Sequence, residues 1–266
     1  MMKKVLITGI GGIVGSSIYV LLKQYPQQYE LYGLGRRKAL SARVQDDRRL
    51  DLPESRFAVC ELTDFDGVSR AVEGMDVVVH MAADPGSQNW ESLLQANIIG
   101  AYNVFEACAR GGVRRIIAAS TIQVSTGNQQ MDPVYRALAA GDPAAVPETF
   151  TRLSTTVPAE PRNLYAATKV FSESLCRVYA ARSDLSCIAL RIGWVLSADR
   201  PQNQRGDIWC SQADIARLVR CCIDAPPEVR FDIFYGMSDS SHRWVDLENA
   251  RQRVGWVPQD RAEDRV

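Results

Sequence analysis

The sequence predicts an α/β chain built on a doubly wound parallel sheet, with a small C-terminal lobe. Three observations carry that expectation. Short runs rich in Val and Ile alternate with longer amphipathic segments along most of the 266 residues. The runs are apolar throughout rather than at alternate positions, the pattern of parallel strands covered on both faces. The first run also passes directly into a glycine-rich turn and a helix, which opens a right-handed crossover. Taken in order, residues 5–8 read as the first strand and 15–24 as its helix. Strands follow near 31–34 and 57–62, then at the strongly apolar 77–80. A helix over 90–110 leads into a strand at 115–120, and a long helix over 164–182 into a strand at 187–192. A helix at 211–224, a strand at 231–235 and a helix at 244–254 complete the chain. Residues 125–163 interrupt the alternation with Pro133, Pro143, Pro147, Pro158 and Pro161, and hold one short helical candidate at 134–140.

Composition excludes several function classes. At 46% apolar and 23% charged residues, a chain of this length buries a core without disulfide or metal staples. The 31 basic residues balance 31 acidic ones, which argues against a nucleic-acid partner, since phosphate binding needs an excess of cations. His80 and His242 are the only histidines, so a histidine-rich metal site is ruled out and no metal is expected. The seven cysteines are odd in number and form no C-x-x-C pair, as expected of reduced core thiols in a cytoplasmic protein. No apolar stretch approaches the roughly 18–20 residues of a membrane span, so no membrane association is expected. The lysine-led apolar start is broken by glycines and lacks a cleavage site, so it is not read as a signal peptide.

The glycines of that start carry the first site. Thr8-Gly9-Ile10-Gly11-Gly12-Ile13-Val14-Gly15 lies between strand and helix, with Gly9, Gly12 and Gly15 at G-x-x-G-x-x-G spacing. A β-carbon in such a turn would block close approach of a pyrophosphate, whose charge is stabilised by amides at the helix N-terminus. A dinucleotide is therefore expected over Gly9, Gly11, Gly12, Ile13 and Gly15. An acidic residue at the end of the second strand would accept hydrogen bonds from the ribose of NAD. Gly35 occupies that position here, followed by Arg36, Arg37 and Lys38. A small residue leaves room for a 2′-phosphate, and Arg36, with Arg37 beside it, can bind one bidentately. NADP is expected in preference to NAD.

The second site is catalytic. Thr121 ends the fifth strand, and Tyr165 and Lys169 open the long helix at i and i+4, on one face a single turn apart. A nearby ammonium is expected to lower the tyrosine pKa, which suits Tyr165 to take a hydroxyl proton during hydride transfer. Together with the glycine turn, the His80–Ala83 run and Asn97-x-x-Gly100, this pattern resembles the extended short-chain dehydrogenases/reductases of the NAD-dependent epimerase/dehydratase type. The resemblance covers nearly the whole chain and implies a Rossmann-type fold. It implies that Thr121 hydrogen-bonds the reacting oxygen, and that Lys169 also holds the nicotinamide ribose beside Tyr165. Leu62, Ala82, Ala83 and Asn97 would line the cofactor, with Ile192 at its strand end. Glu61 stands where such enzymes usually carry an aspartate beside the adenine.

Further segments look like the uronate dehydrogenases, which oxidise a free hexuronic acid at the anomeric carbon. These are 97–106, 190–193, 209–214 and the tail from 235 to 260. Three features depart from that pattern. Trp194 replaces a small polar residue, Ile122-Gln123 replaces an Asn-His pair, and about twenty extra residues separate Thr121 from Tyr165. Substrate contacts are expected from Ser87, Thr121, Gln123, Trp194 and Arg205. The extra residues, 128–148, leave and re-enter at the carboxyl edge of the sheet, where ligands bind. Loops longer than about 12–15 residues are usually functional or disordered, so a mobile lid opposite Trp194 is expected. On this reading residues 1–192 bind the dinucleotide and 193–266 form the substrate lobe. The function expected is NAD(P)-dependent oxidation of a free sugar or sugar acid by a homodimer. A nucleotide-sugar epimerase or reductase and a non-catalytic NADP-binding sensor stand as alternatives.

Overall fold

The computed structural model describes residues 2–44, 48–85, 89–202 and 206–265. Its first half runs through β1 (Lys3–Thr8), α1 (Ile13–Leu22), β2 (Tyr29–Gly35), β3 (Phe57–Val59), α2 (Phe65–Val72) and β4 (Val77–His80). There follow α3 (Trp90–Leu93), α4 (Gly100–Arg110), β5 (Arg115–Thr121), α5 (Thr126–Met131) and α6 (Pro133–Ala140). The remainder is α7 (Leu164–Arg182), β6 (Ser186–Ile192), α8 (Gln212–Asp224), β7 (Phe231–Gly236) and α9 (Glu248–Val254). Among the described residues the strands form one parallel sheet in the order β3-β2-β1-β4-β5-β6-β7. The order reverses between β1 and β4, and a crevice opens there at the carboxyl ends of the strands. The doubly wound α/β class read from the sequence is the fold observed.

The period-2 geometry of the strands divides their apolar residues between two layers. Val5, Ile7, Val77, Val79, Ile117 and Ile188 pack in one cluster with α1 and α8 through Ile18, Leu22, Ile215 and Leu218. Leu6, Val78, Ile116, Ala118 and Cys187 pack in the other, with Val104 and Phe105 of α4 and Leu175 of α7. Both faces of β4 and β6 are buried along their full lengths, which is why neither run alternates. Strand β7 joins the same sheet beside β6. No helix among the described residues is long and apolar enough to cross a membrane.

Four expectations are corrected. The strand near 57–62 stops at Val59, because the chain turns through Glu61 into α2, whose cap Asp64 accepts from Gly67 N–H at 3.0 Å. The helix over 90–110 is not uniform; Leu94–Ile99 winds as a π-helix between α3 and α4. The last helix begins at Glu248, not at residue 244, because Trp244 and Val245 are extended. They pair with Leu153, whose N–H donates to Trp244 O at 2.8 Å and whose carbonyl accepts from Asp246 N–H at 2.9 Å.

That pairing also removes the expected lid. Residues 125–163 fold as a layer on the C-terminal segment, burying Leu138 and Leu153. The Tyr135 ring lies 6.0 Å from that of Trp244, and its hydroxyl donates to Thr151 O at 2.8 Å. If this layer is structural, Leu138→Ala leaves a cavity and lowers unfolding free energy by about 2–5 kcal/mol in urea titrations, with ligand affinities in the cleft unaltered. A lid would show the converse: intact stability and altered affinity.

Candidate active site

The strand ends and their loops enclose a cleft of about 900 Å³. One wall is the glycine turn. Gly9 has φ +67°, and a β-carbon there would come within 2.7 Å of the Ala82 backbone, so the turn lies hard against the loop after β4. A β-carbon at Gly15 would strike the Gly9 carbonyl; only glycine lets α1 start so close to its own turn. Helix α1 has no side-chain cap and no acidic residue in its first turn. Its free amides therefore give the cleft an anion-binding end. Gly9, Gly11, Gly12, Ile13 and Gly15 all line the cleft. This cradle fits the diphosphate of a dinucleotide.

The far end is made by Gly35, Arg36 and Arg37, all on the cleft wall with both guanidiniums exposed. Lys38 is drawn away by Glu54 at 2.7 Å. Glu61, Leu62, Ala82, Ala83 and Ile192 line the same cleft, so nearly every residue named for a cofactor converges on it. Asn97 does not. Its side chain is buried and fully engaged, accepting from Asp84 N–H at 2.8 Å and donating to Asp84 O and Thr168 Oγ1 at 3.1 Å each. It shapes the loop after β4.

Thr121, Tyr165 and Lys169 meet on the opposite wall. The cap of α7 is Asn163, whose Oδ1 accepts from Ala166 N–H and whose Nδ2 donates to Gln123 Oε1, both at 2.8 Å. This ties the helix start to the end of β5. Lys169 Nζ donates to Ala119 O at 3.0 Å and lies 5.8 Å from the centre of the Tyr165 ring. The expected lowering of the tyrosine pKa is not found. Burial pushes Tyr165 up to about 12, with Asp84 adding to the rise, while a hydrogen bond to Thr121 and the charge of Arg43 oppose it. Burial lowers Lys169 to about 8. A low-dielectric pocket disfavours both charged forms, and Lys169 is not among the groups that act on the phenol.

Residues 5–219 match the NAD dependent epimerase/dehydratase family. The chain belongs to that family. An NAD-dependent glucose-6-phosphate dehydrogenase of Haloferax volcanii is 30% identical over 262 residues, covering 96% of this chain and 93% of the relative. The crystal structure of glucuronic acid dehydrogenase from Chromohalobacter salexigens is 28% identical with a TM-score of 0.78, covering 99% of this chain and 87% of that one. A uronate dehydrogenase mutant from Agrobacterium tumefaciens, complexed with NAD, is 26% identical with a TM-score of 0.75, covering 99% and 87%.

The rim of the cleft has further occupants. Gln123 lines the cleft while tied to Asn163, and Trp194 forms the outer wall at 42% exposure. Trp194 is fixed by its N–H donating to Ile208 O at 2.7 Å and its carbonyl accepting from Cys210 N–H at 3.1 Å. Ser87 and Arg205 lie outside the described residues. Residues 128–148 contribute nothing to the cleft wall. Two charged residues on the wall were not singled out from sequence, Arg43 and Asp84. Asp84 follows the motif His80–Ala83 directly, so its place was inferable; Arg43 lies in a loop with no motif.

His80 is a supporting residue. Its Nδ1 pairs with Thr8 Oγ1 at 2.8 Å, and Thr8 Oγ1 accepts from Ala82 N–H at 3.2 Å, joining β1, β4 and the cleft loop. Burial, with Lys169 nearby, lowers its pKa from 6.5 to about 3. The unfolded chain therefore takes up this proton first, and stability falls as pH drops from about 6.5 towards 3. Urea titrations of wild type and His80→Asn across that window should differ in slope by about one proton, or about 1.4 kcal/mol per pH unit. Equal slopes would show that His80 does not titrate there.

Proposed function

We propose that the chain is an NAD(P)-dependent dehydrogenase that oxidises a free sugar or sugar acid at the anomeric carbon. The convergence of Thr121, Tyr165 and Lys169 on a cleft whose other wall is the glycine turn carries this reading. Relatives named for glucose-6-phosphate, glucuronic acid and uronate oxidation support it. The nicotinamide ring, when bound, supplies the hydride acceptor. Thr121 orients the hydroxyl to be oxidised, and Tyr165 removes its proton. Lys169, held by Ala119 O, keeps a cation beside the phenol. Trp194 walls the sugar side, which residues 193–266 serve. A nucleotide-sugar dehydratase would need an acid–base pair after Thr121. Here Ile122 is fully buried and Gln123 is bound to Asn163, and neither moves a proton.

The test is a turnover panel with both cofactors against aldoses, uronic acids, sugar phosphates and nucleotide sugars. Oxidation of free sugars or sugar acids is expected. Turnover confined to nucleotide sugars would overturn the reading. Tyr165→Phe should lower kcat at least a hundredfold with little change in cofactor dissociation constant, since general-base removal costs about 10²–10⁴-fold. Unchanged kcat would reduce Tyr165 to a packing residue.

NADP is the cofactor we assign in preference to NAD, on the absence of an acid at Gly35 and the exposed Arg36 and Arg37 beside the cleft. Arg36→Ala should then weaken NADP by about ten- to a hundredfold, corresponding to roughly 1.5–3 kcal/mol for a charge-assisted contact, and leave NAD nearly untouched. Equal losses in a binding titration would make Arg36 a solvated surface charge.

A further inference from the structure

The loop after β2 does not leave the cleft once the strand ends. Ser41 N–H donates to the Gly11 carbonyl at 2.7 Å, which binds the loop to the glycine turn itself. The Ala39 carbonyl occupies the space a β-carbon on Gly11 would need. Val44 N–H then closes a turn on Ser41 O at 2.9 Å, and the Val44 side chain is buried. Between these two anchors stands Arg43, exposed and on the cleft wall. Lys38, five residues earlier, is occupied by Glu54, whereas no ion pair engages Arg43 among the described residues.

We propose that Arg43 is the counter-ion of the dinucleotide diphosphate, held across the cleft from the amides of α1 by the loop that Ser41 ties to Gly11. The proposal rests on the dehydrogenase reading and adds a cofactor contact to it. The diphosphate would lie between backbone donors on one side and a guanidinium on the other, an arrangement in which arginine can engage two oxygens at once. Arg43 stands in a loop fastened to the glycine turn through Ser41 and Gly11, whereas Arg36 and Arg37 directly follow the end of β2. It is thus a contact common to NAD and NADP.

Dissociation constants for NADH, NADPH and ADP-ribose, measured by titration on the intact protein, test this. Arg43→Ala should weaken all three by a similar factor, about ten- to a hundredfold. Arg43→Lys should recover part of the loss, and the thermal midpoint should hold because the side chain is exposed. Unchanged dissociation constants for all three would overturn the assignment. A loss confined to NADPH would make Arg43 a 2′-phosphate contact, and a raised KM for the sugar with intact cofactor binding would make it a substrate contact. Both results also overturn it. Failure of the wild-type chain to bind any of the three would instead remove the dehydrogenase reading on which the proposal stands.

Discussion

Glu173 and Arg191 form a buried ion pair, at 8% and 3% side-chain exposure, and the carboxyl ends of β5, β6 and β7 are organised around it. Arg191 Nε and Nη2 donate to the two Glu173 oxygens at 2.9 and 3.0 Å, a bidentate pairing. Ser120 Oγ donates to the same carboxylate at 2.7 Å, and Arg191 Nη1 donates to Tyr235 OH at 3.1 Å. The pair therefore ties α7 to β5, β6 and β7 at their carboxyl ends. Burial works against the Arg191 charge, but Glu173 and Tyr235 outweigh it and raise the pKa. Replacing such a pair by apolar residues is often neutral in stability, whereas losing one partner costs about 3–5 kcal/mol. Its value here is geometric. Glu173 lies one helical turn beyond Lys169 and two beyond Tyr165, and Ser120 immediately precedes Thr121. The same carboxylate thus indexes both elements that present Thr121, Tyr165 and Lys169 to the cleft.

This anchoring explains how the site tolerates its own electrostatics. At neutral pH burial keeps Tyr165 protonated, with its pKa near 12, while Lys169 at about 8 stays mostly charged. The Thr121 hydroxyl, by its hydrogen bond, and the charge of Arg43 favour the phenolate, and the charge of Asp84 opposes it. Such short-range terms act only if the groups keep their places. The rigid β5–α7 junction, reinforced by the Asn163–Gln123 link, holds the trio in place.

What could be read from the sequence follows from how local each signal is. The strands were legible because burial on both faces leaves a continuous apolar run. The glycine turn and the Tyr165–Lys169 pair were legible because their spacing is a property of a few neighbouring residues. The end of β3 was not, since Cys60 and Leu62 are apolar enough to extend it and only the Asp64 cap stops it. Trp244 and Val245 look like the first turn of a helix until their pairing with Leu153, some ninety residues away, is known. The lid failed for the same reason. The alanines and few large apolar residues of 128–148 suited a loosely held flap, but their partners lay in the C-terminal segment. Glu173 sat within the long helix and Arg191 in the segment 190–193, with no sequence signal joining them, and only the sheet order brings them together.

The division of the sheet at the β1/β4 reversal also separates the choices the enzyme must make. Arg36, Arg37 and Glu61 come from the ends of β2 and β3, while Trp194 and Gln123 come from the ends of β6 and β5. Between them lie the glycine turn and the trio, which any dinucleotide-dependent oxidation of a hydroxyl needs. Changes at Arg36 and changes at Trp194 therefore lie on different walls and share no hydrogen bond, so their energetic effects should be close to additive. Arg43 is the exception, because its loop is fastened to Gly11 at the centre of the cleft rather than to the edge of the sheet. A loop that leaves β2 and is tied back to the glycine turn bears on both, so its residues should be less freely exchangeable than those of either wall.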